Sequence, residues 1–243
     1  AHMKINRTVF FLATAVAGFS LISQAATAFD NFESYAVGSN LHGQDGWKGW
    51  NNVEAAGGYA SADFAAGGSQ SVKVSDGSDL VRVFTGMDSG QYIFTLKQYI
   101  PSTTPSVGKN YVILLNRYED NGLCGWSVQV LNDLAAGEVV SDLGGFATLP
   151  LIKDRWVEYK FDIDLAANIV SEYYDGELLS THDWRDKVVE PNGYDVISAL
   201  DLYSEGAGAV YYDDLNVQPI PEPATVALLG LGALGLALMR RRH

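Results

Sequence analysis

The stretch Trp156-Val157-Glu158-Tyr159-Lys160-Phe161-Asp162-Ile163 decides the fold. Val157, Tyr159, Phe161 and Ile163 alternate with Glu158, Lys160 and Asp162. A period of two places the apolar set on one face of a strand and the charged set on the other, so this segment belongs to a sheet with one solvated face. Downstream, Ile169 to Tyr174 and Glu177 to Thr181 flank Asp175-Gly176. That pair predicts a hairpin, because a type I′ turn needs positive φ at both central residues and Asp-Gly tolerates it.

The same pattern extends in both directions. Tyr92 to Ile100 ends at Pro101, Tyr111 to Tyr118 and Trp126 to Leu131 follow, and Val196 to Tyr203 and Ala209 to Val217 complete the set. No window of a dozen residues between Phe29 and Gln218 carries a helical period. Short strands punctuated by Gly, Asn and Asp predict an all-β sandwich or jelly roll. The segment has the length of one domain and is large enough to fold without covalent staples. Its single cysteine, Cys124, permits no intramolecular disulfide and is expected to be buried beside Trp126, itself aligned with the core positions Val128 and Val130.

The two ends read as sorting signals rather than as parts of a fold. Ala1-His2 precede Met3 as an extraneous prefix. Lys4 and Arg7, the apolar stretch Val9 to Ile22 and Ala26-Thr27-Ala28 then form a secretory signal peptide over residues 1–28. At the other end, Pro219-Ile220-Pro221-Glu222-Pro223 precedes an apolar run from Ala224 to Met239 and a basic cluster of Arg240, Arg241 and Arg242. As a helix that run is roughly 24 Å long at about 1.5 Å per residue, a little short for a relaxed bilayer crossing, and the arginines hold one end in the cytoplasm. The order of Pro221-Glu222-Pro223, apolar span and arginines resembles the PEP-CTERM tail of Gram-negative bacteria. The resemblance implies processing by an exosortase, transient membrane residence through the C-terminal helix over residues 219–243, and delivery to the cell surface or extracellular matrix.

Charge narrows the partners. The whole chain carries a formal −13. Five of its sixteen basic residues and one acid, Glu222, lie in the terminal segments, which leaves the domain 28 acids against 11 bases, or −17. Such a surface repels nucleic-acid phosphates and anionic headgroups and excludes a nucleic-acid partner.

The domain itself, residues 29–218, carries a second resemblance. Lys153-Asp154-Arg155-Trp156, Asp162-Ile163-Asp164-Leu165 and Tyr173-Tyr174-Asp175-Gly176 are similar to the core of a concanavalin A-like, laminin-G-like jelly roll. Val210-Tyr211-Tyr212-Asp213-Asp214-Leu215 resembles its last strand, and Phe29 to Tyr35 with Gly43 to Trp50 its first strand and loop. That fold hosts lectins, laminarinase-type hydrolases and adhesion modules, so it does not choose a function by itself. The paired glutamates around an aspartate that retaining hydrolases of this fold carry are missing. Glu172 and Glu177 are separated by a turn, and Asp162 and Asp164 lack a partner glutamate. No Gly-x-Ser-x-Gly, His-Glu-x-x-His or phosphate-loop motif occurs. The expectation is a non-enzymatic module.

Two constellations remain. If the first and last strands pair, Glu33, Asp213 and Asp214 converge and offer hard oxygen ligands to a structural Ca²⁺. The aromatic set Trp47, Trp50, Tyr118, Trp126 and Trp184 offers faces that stack on sugars. Trp50 and Trp184 are expected to point outward, with Tyr118 and Arg117 completing a glycan site. The sequence therefore predicts a secreted β-sandwich that binds extracellular polysaccharide or matrix. The rival expectations are a structural or assembly protein of that matrix and a divergent glycan hydrolase or lyase.

Overall fold

The computed structural model describes residues 27–185 and 193–221. The signal segment up to residue 26, most of the sorting tail including Glu222, Pro223 and Arg240 to Arg242, and its apolar run lie outside the described residues. Among the described residues no helix is long and apolar enough to cross a membrane.

Among the described residues fifteen strands follow one another: β1 (Ala28–Asp30), β2 (Trp47–Gly49), β3 (Tyr59–Ser61), β4 (Ser71–Val74), β5 (Asp79–Val83), β6 (Gln91–Tyr99), β7 (Lys109–Arg117), β8 (Gly125–Asp133), β9 (Glu138–Ser141), β10 (Ala147–Pro150), β11 (Trp156–Asp164), β12 (Ile169–Tyr174), β13 (Glu177–Asp183), β14 (Ala199–Glu205) and β15 (Val210–Ile220). They form two antiparallel sheets. One runs β13-β12-β11-β6-β15-β4-β3, with β1 added alongside β15; the other runs β10-β9-β8-β7-β14-β5-β2. This is the jelly-roll sandwich that the alternating strands predict.

The sheets pack face to face. Val157, Tyr159, Phe161 and Ile163 of β11 are buried in one continuous core with Val112, Leu114, Val128, Val130, Leu200 and Leu202 from the opposite sheet. A buried polar chain crosses this core. Gln98 donates to Tyr212 Oη (3.0 Å), Tyr159 Oη to Asn132 Oδ1 (2.7 Å), Asn132 to the Asn110 carbonyl (3.3 Å), and Tyr212 Oη to Asn110 Oδ1. Gln98, Tyr159 and Tyr212 stand on the first sheet, Asn110 and Asn132 on the second, so these bonds hold the two layers in one relative position.

A second apolar cluster, built on Val81, Tyr111, Ile113, Leu115 and Ala199, sits on the outer face of the β7-β14-β5 region. It explains why β7 reads as an unbroken apolar run instead of alternating: both of its faces are covered. The same face receives Trp126. Leu114 pairs with Val128 but Leu115 pairs with Trp126, so one extra residue, Ser127, bulges from β8. A bulge reverses the in–out phase of the strand beyond it. Trp126 therefore leaves the side of Val128 and Val130 and stands half-buried on the outer face, contrary to the core position that simple alternation assigns it.

The Asp175-Gly176 turn is as expected, with φ of 53° and 82° and Tyr174 paired to Glu177. A side chain at Gly176 would meet no atom within 4 Å, so only backbone strain opposes it. Gly176→Val should cost about 1–3 kcal/mol, because a β-branched residue is strained at positive φ. Urea unfolding checks this, and an unchanged midpoint would show that the turn tolerates a bulky residue.

Candidate functional site

The outer face of the second sheet carries an open groove of about 350 Å³, lined by Trp50, Asp79, Tyr111, Ile113, Trp126, Gln129, Asp201 and Tyr203. The register explains the gathering. Tyr203 lies opposite both Asp79 and Tyr111, and one step along the sheet Asp201 lies opposite Ile113, which faces Gln129. These are two adjacent rows of side chains on one face. The Tyr111 and Tyr203 rings stack at 5.5 Å. Trp50 stacks against Trp126 at 6.2 Å and forms the wall that rises above the sheet.

Trp50 is placed by an acid some distance away in sequence. Asp30 on β1 accepts hydrogen bonds from Tyr35 Oη (2.6 Å), Trp47 Nε1 (2.8 Å) and Arg82 Nη1 (2.5 Å) through Oδ2, and from the Phe32 amide through Oδ1. Trp47, 1% exposed, is thereby pinned inside, and the turn after β2 carries Trp50 outward. Asn51 and Asn52 adopt positive φ there (55° and 61°), a conformation that asparagine bears better than most residues. Gly49 is required as well: a Cβ on it would lie 1.9 Å from the Val53 carbonyl oxygen. Tyr118 braces the turn edge-to-face against Trp50 at 5.0 Å, while its hydroxyl accepts from the Asn51 amide and donates to Asp120.

The floor of the groove is acidic. Asp79 and Asp201 are hydrogen-bonded to each other across β5 and β14. Asp201 is 3% exposed, and Oδ1 of each residue has no hydrogen-bond partner. Among the described residues no lysine, arginine or histidine lines the groove. Burial, then the neighbouring Asp79 carboxylate, push the Asp201 carboxyl well above the usual carboxylate range; burial also raises Asp79, partly offset by its bond to Asp201. Two carboxyl groups so placed oppose each other's ionisation.

The four ligand-binding residues expected from the sequence do not converge on this groove. Trp50 lines it. Tyr118 lies buried behind Trp50 with its hydroxyl engaged by the loop, so it supports the wall, and it lines a neighbouring hollow rather than this groove. Arg117 faces a neighbouring hollow with Tyr194, donating to its hydroxyl at 3.1 Å and to Glu119 at 2.7 Å. Trp184 is 0% exposed and donates its indole N–H to the Tyr194 carbonyl, which overturns its outward assignment. It plugs the core just beyond β13, where a large apolar ring is worth more buried than stacked on solvent. Alternation assigns Trp126 to the core, and Tyr111, Tyr203, Asp79 and Asp201 are groove residues that the sequence reading does not single out. The available signal was Asp201 itself, an acid set between Leu200 and Leu202.

The expected acidic corner does form, because β1 pairs with β15. An extra residue in β15 near Asp213 and Asp214 shifts the strand's phase, with Asp214 at φ 49°. The carboxylates converge on the loop before β4 but bind its backbone. Glu33 accepts from the Ser69 and Gln70 amides and the Ser69 hydroxyl, each at 2.8 Å, which hold its carboxyl below the usual range. Buried Asp213 accepts from the Ala66 and Gly67 amides and from the Asp214 amide, and burial outweighs these bonds to raise its carboxyl. Asp214 pairs with Lys97 at 2.9 Å. Among the described residues no three His, Cys, Asp or Glu side chains are grouped to hold a metal ion, and each of these carboxylates is engaged by the loop or by Lys97.

Comparison with known proteins adds two findings. Residues 219–242 match the PEP-CTERM protein-sorting motif, so the chain carries the tail that marks an exported, surface-sorted protein. Among solved structures, a sialidase superposes at TM-score 0.53 with 10% identity over 81% of this chain and 19% of that one. The T. cruzi calreticulin globular domain does so at 0.47 with 11% identity over 84% and 98%, and the carbohydrate binding module CBM66 from Bacillus subtilis at 0.45 with 12% identity over 71% and 95%. The likeness to the sialidase shows the fold alone, and the chain spans less than a fifth of that protein. No curated protein matches the sequence significantly.

Two outcomes follow from the geometry. Because the Asp201 carboxyl sits above its unfolded value, its contribution to stability is present at acid pH and lost as the pH rises through the folded value. Tyr111 and Tyr203, whose phenols burial pushes up, stay neutral throughout. Asp201→Asn should therefore leave the thermal midpoint nearly unchanged at acid pH and raise it at alkaline pH. A uniform loss at every pH would show that the pair is not strained by charge. At the acidic corner, Ca²⁺ and Mg²⁺ should shift the midpoint equally, by screening alone. A gain specific to Ca²⁺ and lost in the Asp213→Asn, Asp214→Asn double variant would restore the ion to that corner.

Proposed function

We propose that this domain binds an extracellular polysaccharide in the groove between Trp50, Trp126, Tyr111 and Tyr203, as a non-catalytic module. The observation that carries the reading is the aromatic wall itself. Trp50 and Trp126 stand half-buried over a sheet, and neither indole N–H has a hydrogen-bond partner among the described residues. Rigid aromatic faces with free donors suit the C–H faces and hydroxyls of a sugar, and the groove's open length suits a chain passing through it. The carboxyl pair supports binding over hydrolysis. Retaining glycosidases hold their two carboxyls about 5–5.5 Å apart and inverting ones about 6.5–9.5 Å apart, to admit a sugar carbon or a water. Asp79 and Asp201 interact directly with each other on the groove floor, and Asp201 is buried, so they do not face each other across a bound sugar.

The sorting tail supplies the setting. In this reading an exosortase-type protease removes the tail at the membrane of a Gram-negative cell, and the released domain meets the polysaccharide of the cell surface or matrix.

Affinity electrophoresis of the full chain through gels containing defined polysaccharides tests the groove. Retardation is expected with at least one polysaccharide, and Trp126→Ala or Trp50→Ala should weaken it by about tenfold or more, as removal of a central aromatic anchor does. Retardation that survives both substitutions would move the binding site elsewhere. Appearance of new reducing ends on prolonged incubation would make the domain a hydrolase. Silence on every polysaccharide, with concentration-dependent assembly, would favour a structural role in the matrix.

A further inference from the structure

The floor and walls of the groove favour the same sign of charge. Asp79 and Asp201 lie side by side, and among the described residues no basic side chain lines the groove and one oxygen of Asp201, itself 3% exposed, has no hydrogen-bond partner. Above them stand Trp50, Trp126, Tyr111 and Tyr203, whose ring faces carry negative potential and attract cations, tryptophan most strongly. The acidic excess of the surrounding domain draws polycations to the same surface. A neutral hydroxyl can donate to Asp201 Oδ1, but it leaves two carboxyl groups opposing each other's ionisation. An ammonium can donate to both carboxyls and supply the charge that the floor lacks.

Resting on the polysaccharide reading, we infer that the groove selects amino sugars bearing a free ammonium group, as in a de-N-acetylated hexosamine polymer. The ammonium sits over the Asp79–Asp201 pair from the groove side, and the sugar ring lies against Trp50 and Trp126. N-acetylation removes the charge and places an amide and a methyl group over the carboxyls. An acetylated polymer is therefore a poorer ligand, and a glucan without nitrogen leaves Asp201 Oδ1 without an ionic partner.

Calorimetric titration of the full chain with three hexamers tests the inference: fully de-acetylated glucosamine, N-acetylglucosamine and cellohexaose, at low salt and at mildly acidic pH where the amines are protonated. The glucosamine hexamer should bind about tenfold or more tightly than either of the others, with the margin shrinking as salt is added. Asp201→Asn and Asp79→Asn, checked for folding by circular dichroism, should each reduce that preference towards unity. Trp126→Ala should weaken the glucosamine hexamer in the wild-type background. Equal affinity for the three hexamers, or a preference that persists in both Asn variants, would overturn the amino-sugar assignment and leave polysaccharide binding intact. Hexalysine binding as tightly as the glucosamine hexamer would overturn it in favour of a cationic peptide. Failure of all three hexamers and of every polysaccharide would overturn the binding function and this inference together.

Discussion

The Asp30 carboxylate is the point on which the candidate site depends. It stands on β1, which belongs to the first sheet through β15, yet three of its four hydrogen-bond donors reach it from elsewhere: Tyr35, Trp47 at the edge of the second sheet and Arg82 on β5. Arg82 also lies over the Trp47 ring at 5.3 Å. A nearly buried carboxylate with this many donors resists movement, because loss of any donor leaves charge without compensation, and breaking such a pair costs on the order of 3–5 kcal/mol. The geometry passes outward from there. Trp47 is locked, so the turn that follows leaves the sheet at one angle, and Trp50 can stand against Trp126 only from that angle.

Two bulges decide which residues reach solvent. In β8 the extra Ser127 moves Trp126 from the core side to the groove side. In β15 the irregularity at Asp213 and Asp214 moves Leu215 and Val217 into the core, whereas before it Val210 and Tyr212 face inward. Each bulge also acquires a polar partner: Asn116 donates to Ser127 at 2.9 Å, and backbone amides satisfy Asp213. The bulges thus turn a uniform sandwich into one with an aromatic outer face on one sheet and an acid-capped loop beside the other. They do so at the cost of residues left out of the ladder, Asn116 and Ser127 at the first and one residue of β15 at the second, which local side chains or carboxylates accommodate.

The acidic residues divide by surroundings rather than by sequence. Glu33 and Asp213 face backbone amides and serve as loop caps. Asp30 faces an arginine and two aromatic donors and serves as a hinge pin. Asp79 and Asp201 face only each other and the groove. Of these five, only the last pair retains unused acceptor capacity in a low-dielectric site, where a missing partner weighs most; Glu172 Oε2, buried beside His182, shares that condition away from the groove. This separates a ligand-facing acid from a structural one in a chain so rich in both.

How much of this could be read beforehand depends on the range of the determining interaction. The alternation in Trp156 to Ile163, the Asp175-Gly176 turn and the pairing of the terminal strands were legible, because they follow from local side-chain period, local backbone preference and the ordinary closure of a jelly roll. The PEP-CTERM motif was legible for the same reason: it is read as a linear string. The groove was not. Trp126 sits on the face opposite to the one its period assigns, because a one-residue bulge is set by pairing with β7 and leaves no mark in the spacing. Trp184 is buried because the core beyond β13 has room for it, which depends on elements far apart in the chain. Asp79 and Asp201, more than a hundred positions apart, interact only because β5 and β14 are neighbours in the sheet. Sequence alone determined the strands, the turn and the destination. Tertiary structure alone decided which aromatics and acids face outward together, because a ligand site here is a set of long-range register relations, and register is fixed by sheet packing and not by composition.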